Sequence, residues 1–479
     1  MALKTGDEYL KSLDSLKLEA HMLGQKSDQL GGHGLVSPSR QAVAYTFDAA
    51  HDAGTQELFC VESSLCGDTI NRFSHLHQSA DDLVNKVRMQ RYCGISTACC
   101  FQRCVGMDAA NAIYSTTYDC DQKHGTDYHG RFKEYWQWVQ QNDLVVDGAM
   151  TDPKGDRGKR PKDQLDPDLF LRIKERRDNG VVISGAKLHQ TGMLNSHEIL
   201  VMPTLTMRPG EEAWAVCCAV PTDADGIRYI YGRQTSDTRK LEANRLDVGN
   251  PTFGGQEVMT VFEDVFVPDE RVFLDGEVDF SGILVERFAS YHRQSYGGCK
   301  VGVGDALIGA TALIAQMNGV AGASHIKDKL AEMMHLTETI YSGSVSCSAM
   351  GFKTDSGAYY PDPLLANCTK QNVSRVVYEI ARLAHDIAGG ILATMPSERD
   401  LVHPEIGQYV KKFMVGIEGV SPENRMRVLR LIENMTGGTA LVESMHGAGS
   451  PQTQKVMYAR LGKLDMKKNL AKKLARVEE

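Results

Sequence analysis

The period of the apolar residues changes twice along this chain, and that change constrains the fold more than any single motif. Between about 170 and 270 the runs "GVVISGAKL", "EILVMPTLTM", "EAWAVCCAVP", "IRYIYGRQ" and "EVMTVFEDVFVP" are short and β-rich, with Gly, Pro, Asp and Asn between them. That is the pattern of successive short strands. Upstream, "RQAVAYTFDAAHDAG" and "SADDLVNKVRMQRYCG" place apolar residues three and four apart and end on Gly, which predicts helices. Downstream, "CKVGVGDALIGATALIAQMNG", "HIKDKLAEMMHLTETIYSGSVSCSAM", "KQNVSRVVYEIARLAHDIAGG" and "PENRMRVLRLIENMTGG" predict four helices able to form a bundle. The polar stretch "TDPKGDRGKRPKDQLDPD" at 151–168 reads as loop. The expectation is an α+β protein with a helical domain over 1–145, an antiparallel β domain over 146–280 and a helical bundle over 281–479. A chain of 479 residues is too long for one ordinary core, so several domains are expected.

Composition narrows the function classes. A net charge of −8 argues against a general nucleic-acid binder. No uninterrupted apolar run approaches the ~20 residues of a membrane span, and "MALKTGDEYLKSL" lacks the apolar centre of a signal peptide. A cytoplasmic protein without membrane partners is expected. Twelve cysteines in such a chain do not read as a disulfide framework. Cys217 and Cys218, inside "WAVCCAV", read as small buried hydrophobes.

Two stretches stand out chemically. In "YHRQSYGGCK", His292, Tyr296, Cys299 and Lys300 fall at i, i+4, i+7 and i+8, one face of a helix. Seven residues of helix separate His292 from Cys299 by ~10.5 Å, long for two ligands of one ion and easier for a cluster several ångströms across. Gly297 and Gly298 are positioned to bend the backbone there. In "STACCFQRCVGMD", Cys100 and Cys104 would share a helical face, with Cys99 pointing elsewhere. Two thiols from one helix with a thiol and an imidazole from another make a Cys₃His set, which zinc also accepts; buried core residues remain the alternative. "GAMTDPKGDRGK" has the Gly, Lys, Arg and hydroxyl content of a phosphate- or flavin-contacting loop or, equally, of a polar linker, and no G-x-G-x-x-G follows a strand. Glu257 in "FGGQEV" and Glu443 in "VESMHGAGSPQ" are carboxylates exposed by glycine-rich flanks.

The phrases "INRFSHLHQSADDL", "CFQRCVGMDA", "VDGAMTDPKGDRG", "DPDLFLRI", "GAKLHQTGMLNSHE", "YGRQTSDTRK", "FGGQE", "YHRQSYGGCKVGVGDALIGA", "ARLAHDIAGG" and "ESMHGAGSPQ" span essentially the whole chain. Together they resemble the 4-hydroxybutyryl-CoA dehydratase/vinylacetyl-CoA Δ-isomerase family, flavin and iron–sulfur enzymes related to 4-hydroxyphenylacetate 3-monooxygenase. The resemblance implies an acyl-CoA dehydrogenase-like fold (N-terminal helices, middle antiparallel β domain, C-terminal four-helix bundle), an acyl-CoA substrate and a homotetramer. It implies FAD and a [4Fe–4S] cluster held by Cys100, Cys104, His292 and Cys299. Cys99, directly before the first ligand, is a departure; the three-residue gap to Cys104 places the bond on Cys100. Tyr296, Lys300, Glu257 and Glu443 are implied around the substrate, with His292 also a base. Thr151, Asp152, Lys154, Arg157, Gln190 and Thr191 are implied flavin contacts.

Such chemistry explains the parts. The hydroxyl leaves from C4, so a hydrogen must leave C3, which no carbonyl acidifies directly. Removing a C2 proton and one electron makes C3–H far more acidic, and the electron returns after the hydroxyl departs, so the cycle is redox-neutral. The competing expectations are an FAD-dependent aromatic monooxygenase of the same fold, which has no use for four cluster ligands, and a zinc-stabilised scaffold without catalysis.

Overall fold

The computed structural model describes residues 3–27, 29–242 and 245–477. Helix Ala80–Thr97 opens on a capping box in which Ser79 accepts from the Asp82 N–H and the Asp82 carboxylate accepts from the Ser79 N–H. It stops because Ala98 takes a left-handed conformation (φ 51°), and a new helix starts at Cys104 and runs to His124. A third, Tyr128–Gln141, packs Phe132 and Trp136 inward.

Two sheets follow. One has the strand order Gln25–Ser27, Ala20–Met22, Ile227–Gly232, Glu257–Pro268, Gly180–Thr191, Arg172–Arg177. The other has the order Val272–Asp275, Val216–Pro221, Glu198–Val201, Val146–Ala149. Alternate residues Val258, Thr260 and Phe262 of the long central strand point inward. A register shift between Phe262 and Val265 restores Val265 and Val267 to the same face. Ile183, Val258 and Phe262 of the first sheet meet Ile199, Val201 and Cys218 of the second in one core. The opposite face of the smaller sheet, with Cys217, Ala219 and Phe273, packs on the N-terminal helices.

The expected antiparallel pairing holds for most neighbours and fails at two. Ala20–Met22 runs parallel to Ile227–Gly232, and Val146–Ala149 runs parallel to Glu198–Val201. Ala20–Met22 and Gln25–Ser27 arise within the first 145 residues, so that region is not purely helical. Each parallel strand reaches its partner through a long connection instead of a hairpin, which frees it from antiparallel geometry.

The long helix Val278–Met317 packs against Ser324–Ala349 and Pro363–Ala388. Their fourth neighbour is Ala80–Thr97, from the N-terminal region, lying on both Val278–Met317 and Ser324–Ala349. Pro422–Met435, expected in that role, also packs on Val278–Met317, but its 14 residues span only ~21 Å of that 40-residue helix. The glycine pair in the long helix lies within an unbroken helix. What it provides is close approach: a Cβ on Gly298 would stand 2.7 Å from the Val87 carbonyl oxygen, and one on Gly297 2.3 Å from Ser344 Cβ. Val278–Met317 is long and apolar enough to cross a membrane by composition, but 56% of its most apolar window is buried inside the protein.

Candidate active site

Helical spacing puts His292, Tyr296 and Lys300 on one face of the long helix, and the folded chain shows where they meet other elements. The His292 ring stands edge-on to Tyr296, 5.3 Å between centroids, and stacks on Phe288. Its Nδ1 lies 2.8 Å from Asp108 Oδ2. Tyr296 donates to Glu443 Oε1 (3.0 Å), and Lys300 donates to Glu443 Oε2. Burial opposes ionisation of Glu443, yet Lys300 and Tyr296 hold its carboxyl below the usual range. For Tyr296, burial first and the Glu443 charge second keep the phenol protonated.

Glu443 is delivered by helix Gly438–His446, and two buried cations latch that segment. Lys370 donates to the carbonyls of Ser444 and Met445 and to Ser374 Oγ, each at 3.0 Å, with its ammonium 4.6 Å over the Tyr296 ring. Burial pushes Lys370 down to about 7, against the pull of Glu443. Arg293 donates to the Ala448 carbonyl, Asn367 Oδ1 and Thr453 Oγ1. Between the latches Gly447 lies so close to Tyr296 that a Cβ would stand 1.6 Å from the phenol oxygen.

The three thiols sit beside this group. The expectation that Cys100 and Cys104 share one helix is corrected by the backbone. Cys104 begins a helix, whereas Cys100 lies in the turn between left-handed Ala98 and Gln102 (φ 51° and 69°). That turn is held by Gln102, which donates to the carbonyls of Cys100 and Gly254 and accepts from Asn195. Cys104 and Cys299 are buried in the same apolar cluster. Burial raises the Cys104 thiol, and Cys299 and Cys100 add to the rise. Burial likewise raises Cys99, but its charged neighbours are Lys300, Lys240 and Glu443, not the other thiols. All of these cysteines are free. Among the described residues, no three His, Cys, Asp or Glu side chains converge tightly enough for a single metal ion.

The β sandwich supplies the opposite wall. Glu257 begins the central strand and accepts from Thr191 Oγ1 at 2.5 Å, and its other oxygen is buried without a partner. Burial first, then the charge on Glu443, pushes Glu257 up to about 8. Neighbouring Gln256 is buried with neither end of its amide hydrogen-bonded. Gln190 bonds back to the Leu188 carbonyl. In the "TDPKGDR" loop, Thr151 accepts at its carbonyl from the Leu188 N–H. Asp152 is already taken inside, 2.8 Å from Lys187 and accepting from the Leu171 N–H. Lys154 (φ 72°) feels the Asp152 charge without forming an ion pair with it among the described residues, and Lys154 and Arg157 both repel a protonated His189.

Asp108, Lys370 and Arg293 are parts of the site that the residue pattern did not single out. Each acts through partners 74 to 184 residues away, which no local spacing marks. Asp108 does fall inside the quoted phrase "CFQRCVGMDA" and Arg293 inside "YHRQSYGGCK", so the phrases held them without their roles.

Two family profiles match nearly the whole chain: 4-hydroxyphenylacetate 3-hydroxylase N terminal over residues 5–274 and its C-terminal counterpart over 281–476. A 4-hydroxybutyryl-CoA dehydratase/vinylacetyl-CoA-Δ-isomerase of Clostridium aminobutyricum is 54% identical over 99% of this chain and 100% of its own length. An oxygen-tolerant archaeal 4-hydroxybutyryl-CoA dehydratase from N. maritimus superposes with a TM-score of 0.98 at 51% identity, covering 100% of this chain and 96% of that one. The oxygenase component of 4-hydroxyphenylacetate 3-monooxygenase, complexed with FAD, shares the fold with a TM-score of 0.84 at 19% identity, covering 99% and 100%.

Proposed function

The chain belongs to the 4-hydroxyphenylacetate 3-hydroxylase family, and from that premise we propose that it is a hydro-lyase converting 4-hydroxybutyryl-CoA to crotonyl-CoA and water. It also isomerises vinylacetyl-CoA to crotonyl-CoA. The observation that carries this reading is the joining of three free thiols to an acid–base group made of His292, Tyr296 and Lys300 on one helix face and Glu443 from a second helix. A monooxygenase of the same fold has no use for that set.

The residues fit both implied cofactors. Cys100, Cys104, His292 and Cys299 would hold a [4Fe–4S] cluster: they supply three free thiols and an imidazole, and a metal centre's charge converts buried thiols to thiolates. Gln190, Thr191, Thr151, Lys154 and Arg157 would hold FAD, and the unbonded Gln256 amide is a further donor for it; Asp152 would contribute through its backbone, since Lys187 occupies its carboxylate. When bound, these groups supply one-electron exchange with the acyl chain and a Lewis acid for the C4 hydroxyl.

The chain's own residues move the protons. His292 would take the C2 proton through Nε2 only while that nitrogen is not bound to iron, since one lone pair serves both roles. Tyr296, kept protonated by its surroundings, hydrogen-bonds and protonates the departing hydroxyl. Glu443, held ionised by Lys300, is the ready acceptor for the C3 proton, and Lys300 offsets negative charge on the acyl group. Glu257, neutral below about 8, is the acid that protonates C4 when the double bond moves. Isomerisation is therefore expected to fall as pH rises through an apparent pKa near 8, and Glu257→Gln to remove that limb. The same shift makes the folded chain lose stability as pH rises from the ordinary carboxylate range toward 8, because it keeps a proton that the unfolded chain releases.

We read the wider organisation as an acyl-CoA dehydrogenase-like arrangement of three domains, 1–145, 146–280 and 281–479, assembled as a homotetramer. Helix Leu464–Ala475 buries none of its own residues and exposes Leu464, Met466, Leu470 and Leu474, which supports a partner subunit there. Twelve unpaired cysteines support a reducing, cytoplasmic setting. Anaerobic purification with iron, sulfide and flavin measured beside crotonyl-CoA formation tests the function. About four irons and one flavin per chain with product from both thioesters is expected; flavin without iron, or zinc alone, overturns it.

A further inference from the structure

We infer that Asp108 is a positioning residue that fixes the tautomer of His292. The two groups are buried side chains on different helices, Cys104–His124 and Val278–Met317. Asp108 Oδ2 lies 2.8 Å from His292 Nδ1 and accepts from Ser295 Oγ at 2.8 Å. The Lys86 ammonium lies 2.5 Å from Oδ1 and also donates to the Tyr291 carbonyl. Gln90 donates to Ser295, so the carboxylate is held from three sides.

A carboxylate in this position accepts only, so His292 Nδ1 must carry the proton. The lone pair is then on Nε2, which has no hydrogen-bond partner among the described residues. That is the nitrogen required to take a proton or bind iron, and a carboxylate behind a ligating imidazole is the usual way to fix it. The inference rests on the proposed role of His292 and adds a residue to it.

The geometry makes a specific prediction for Asp108→Asn. Lys86 is a donor only, so the asparagine must turn its oxygen toward Lys86 and its NH₂ toward His292. Nδ1 then becomes the acceptor, the proton moves to Nε2, and the lone pair is lost where it is needed. Replacing Lys86 as well, in Lys86→Met/Asp108→Asn, frees the amide to turn over and present its oxygen to His292. The double variant also removes a buried ammonium left without its carboxylate, so it folds even where the single variant does not.

The test uses the full chain purified anaerobically, measuring crotonyl-CoA formation and, separately, the rate at which a chelator removes iron. Asp108→Asn is expected to lower kcat ~10- to 100-fold with KM unchanged and to speed iron loss by a similar factor. The double variant is expected to recover at least tenfold of the loss in both measurements, or, where the single variant does not fold, to lie within tenfold of the parent. A merely structural salt bridge also predicts better folding of the double variant, but it predicts that single and double variants, once folded, keep the parent's kcat and rate of iron loss and differ only in melting temperature. Asp108→Asn within twofold of the parent, or a double variant no better than the single, overturns the inference. A parent chain without iron and without crotonyl-CoA formation overturns the functional reading instead.

Discussion

Glu443→Gln is expected to lower the dehydration rate by ~10²–10⁴-fold while flavin and iron contents stay at parental levels. The glutamine oxygen still accepts from Tyr296, so the side chain keeps its place, but it neither takes a proton nor balances Lys300. Two losses combine. The C3 proton loses its ionised acceptor, because burial, the larger cause of the Glu257 shift, still holds that carboxyl above the usual range. Lys300 is also left in a buried setting without its carboxylate, and removing one partner of such a pair costs ~3–5 kcal/mol, visible as a lower melting temperature. Removing the Glu443 charge also relieves Glu257, whose apparent pKa is expected to fall. The isomerisation limb near pH 8 should therefore move to lower pH in this variant, a coupling that simple damage to the fold would not produce. A Glu443→Gln enzyme with dehydration within threefold of the parent would exclude this carboxylate from the proton path.

Much of this arrangement was legible in the residues, and what was not has a physical reason. The helix–strand–helix order follows from apolar period, and the shared face of His292, Tyr296 and Lys300 follows from their spacing on one unbroken helix. Those are local properties. The Cys100 turn was not legible, because its conformation depends on left-handed Ala98 and on the Gln102 side chain bridging to Gly254; nothing in "STACCFQRC" opposes a continuous helix. The direction of the parallel strands is hidden for a related reason, since pairing direction is set by how the chain returns to the sheet. Asp108 and Lys370 look like ordinary polar residues on helices until their partners arrive from 184 and 74 residues away. The glycines in "SYGGCK" are plain in the residues but their use is not: a missing side chain reports space, and the element that fills the space is elsewhere in the chain.

Gly447→Ala tests how tightly the wall carrying Glu443 is set against Tyr296. The backbone there (φ −56°, ψ 145°) suits any residue, so the substitution brings no conformational strain of its own. Its effect is steric and local. The new methyl would lie 1.6 Å from the Tyr296 oxygen, well inside contact distance, and one of the two must move. Tyr296 is buried on the rigid long helix beneath the Lys370 ammonium. The Glu443 segment is latched by Lys370 and Arg293. Neither side yields without breaking the Tyr296–Glu443 hydrogen bond, and displacement of about 1 Å at reacting groups costs ~100-fold in rate. The expected result is that loss in kcat for dehydration, with KM for the thioester little changed and cofactors retained. Tyr296→Phe placed on top of Gly447→Ala removes the oxygen that the methyl strikes. The double variant should then lose only a little more activity than Tyr296→Phe alone, because the 1.6 Å contact is gone and the milder contact with ring carbon Cζ at 2.7 Å remains. If the two losses instead multiply, Gly447 does not work by seating Tyr296 against Glu443.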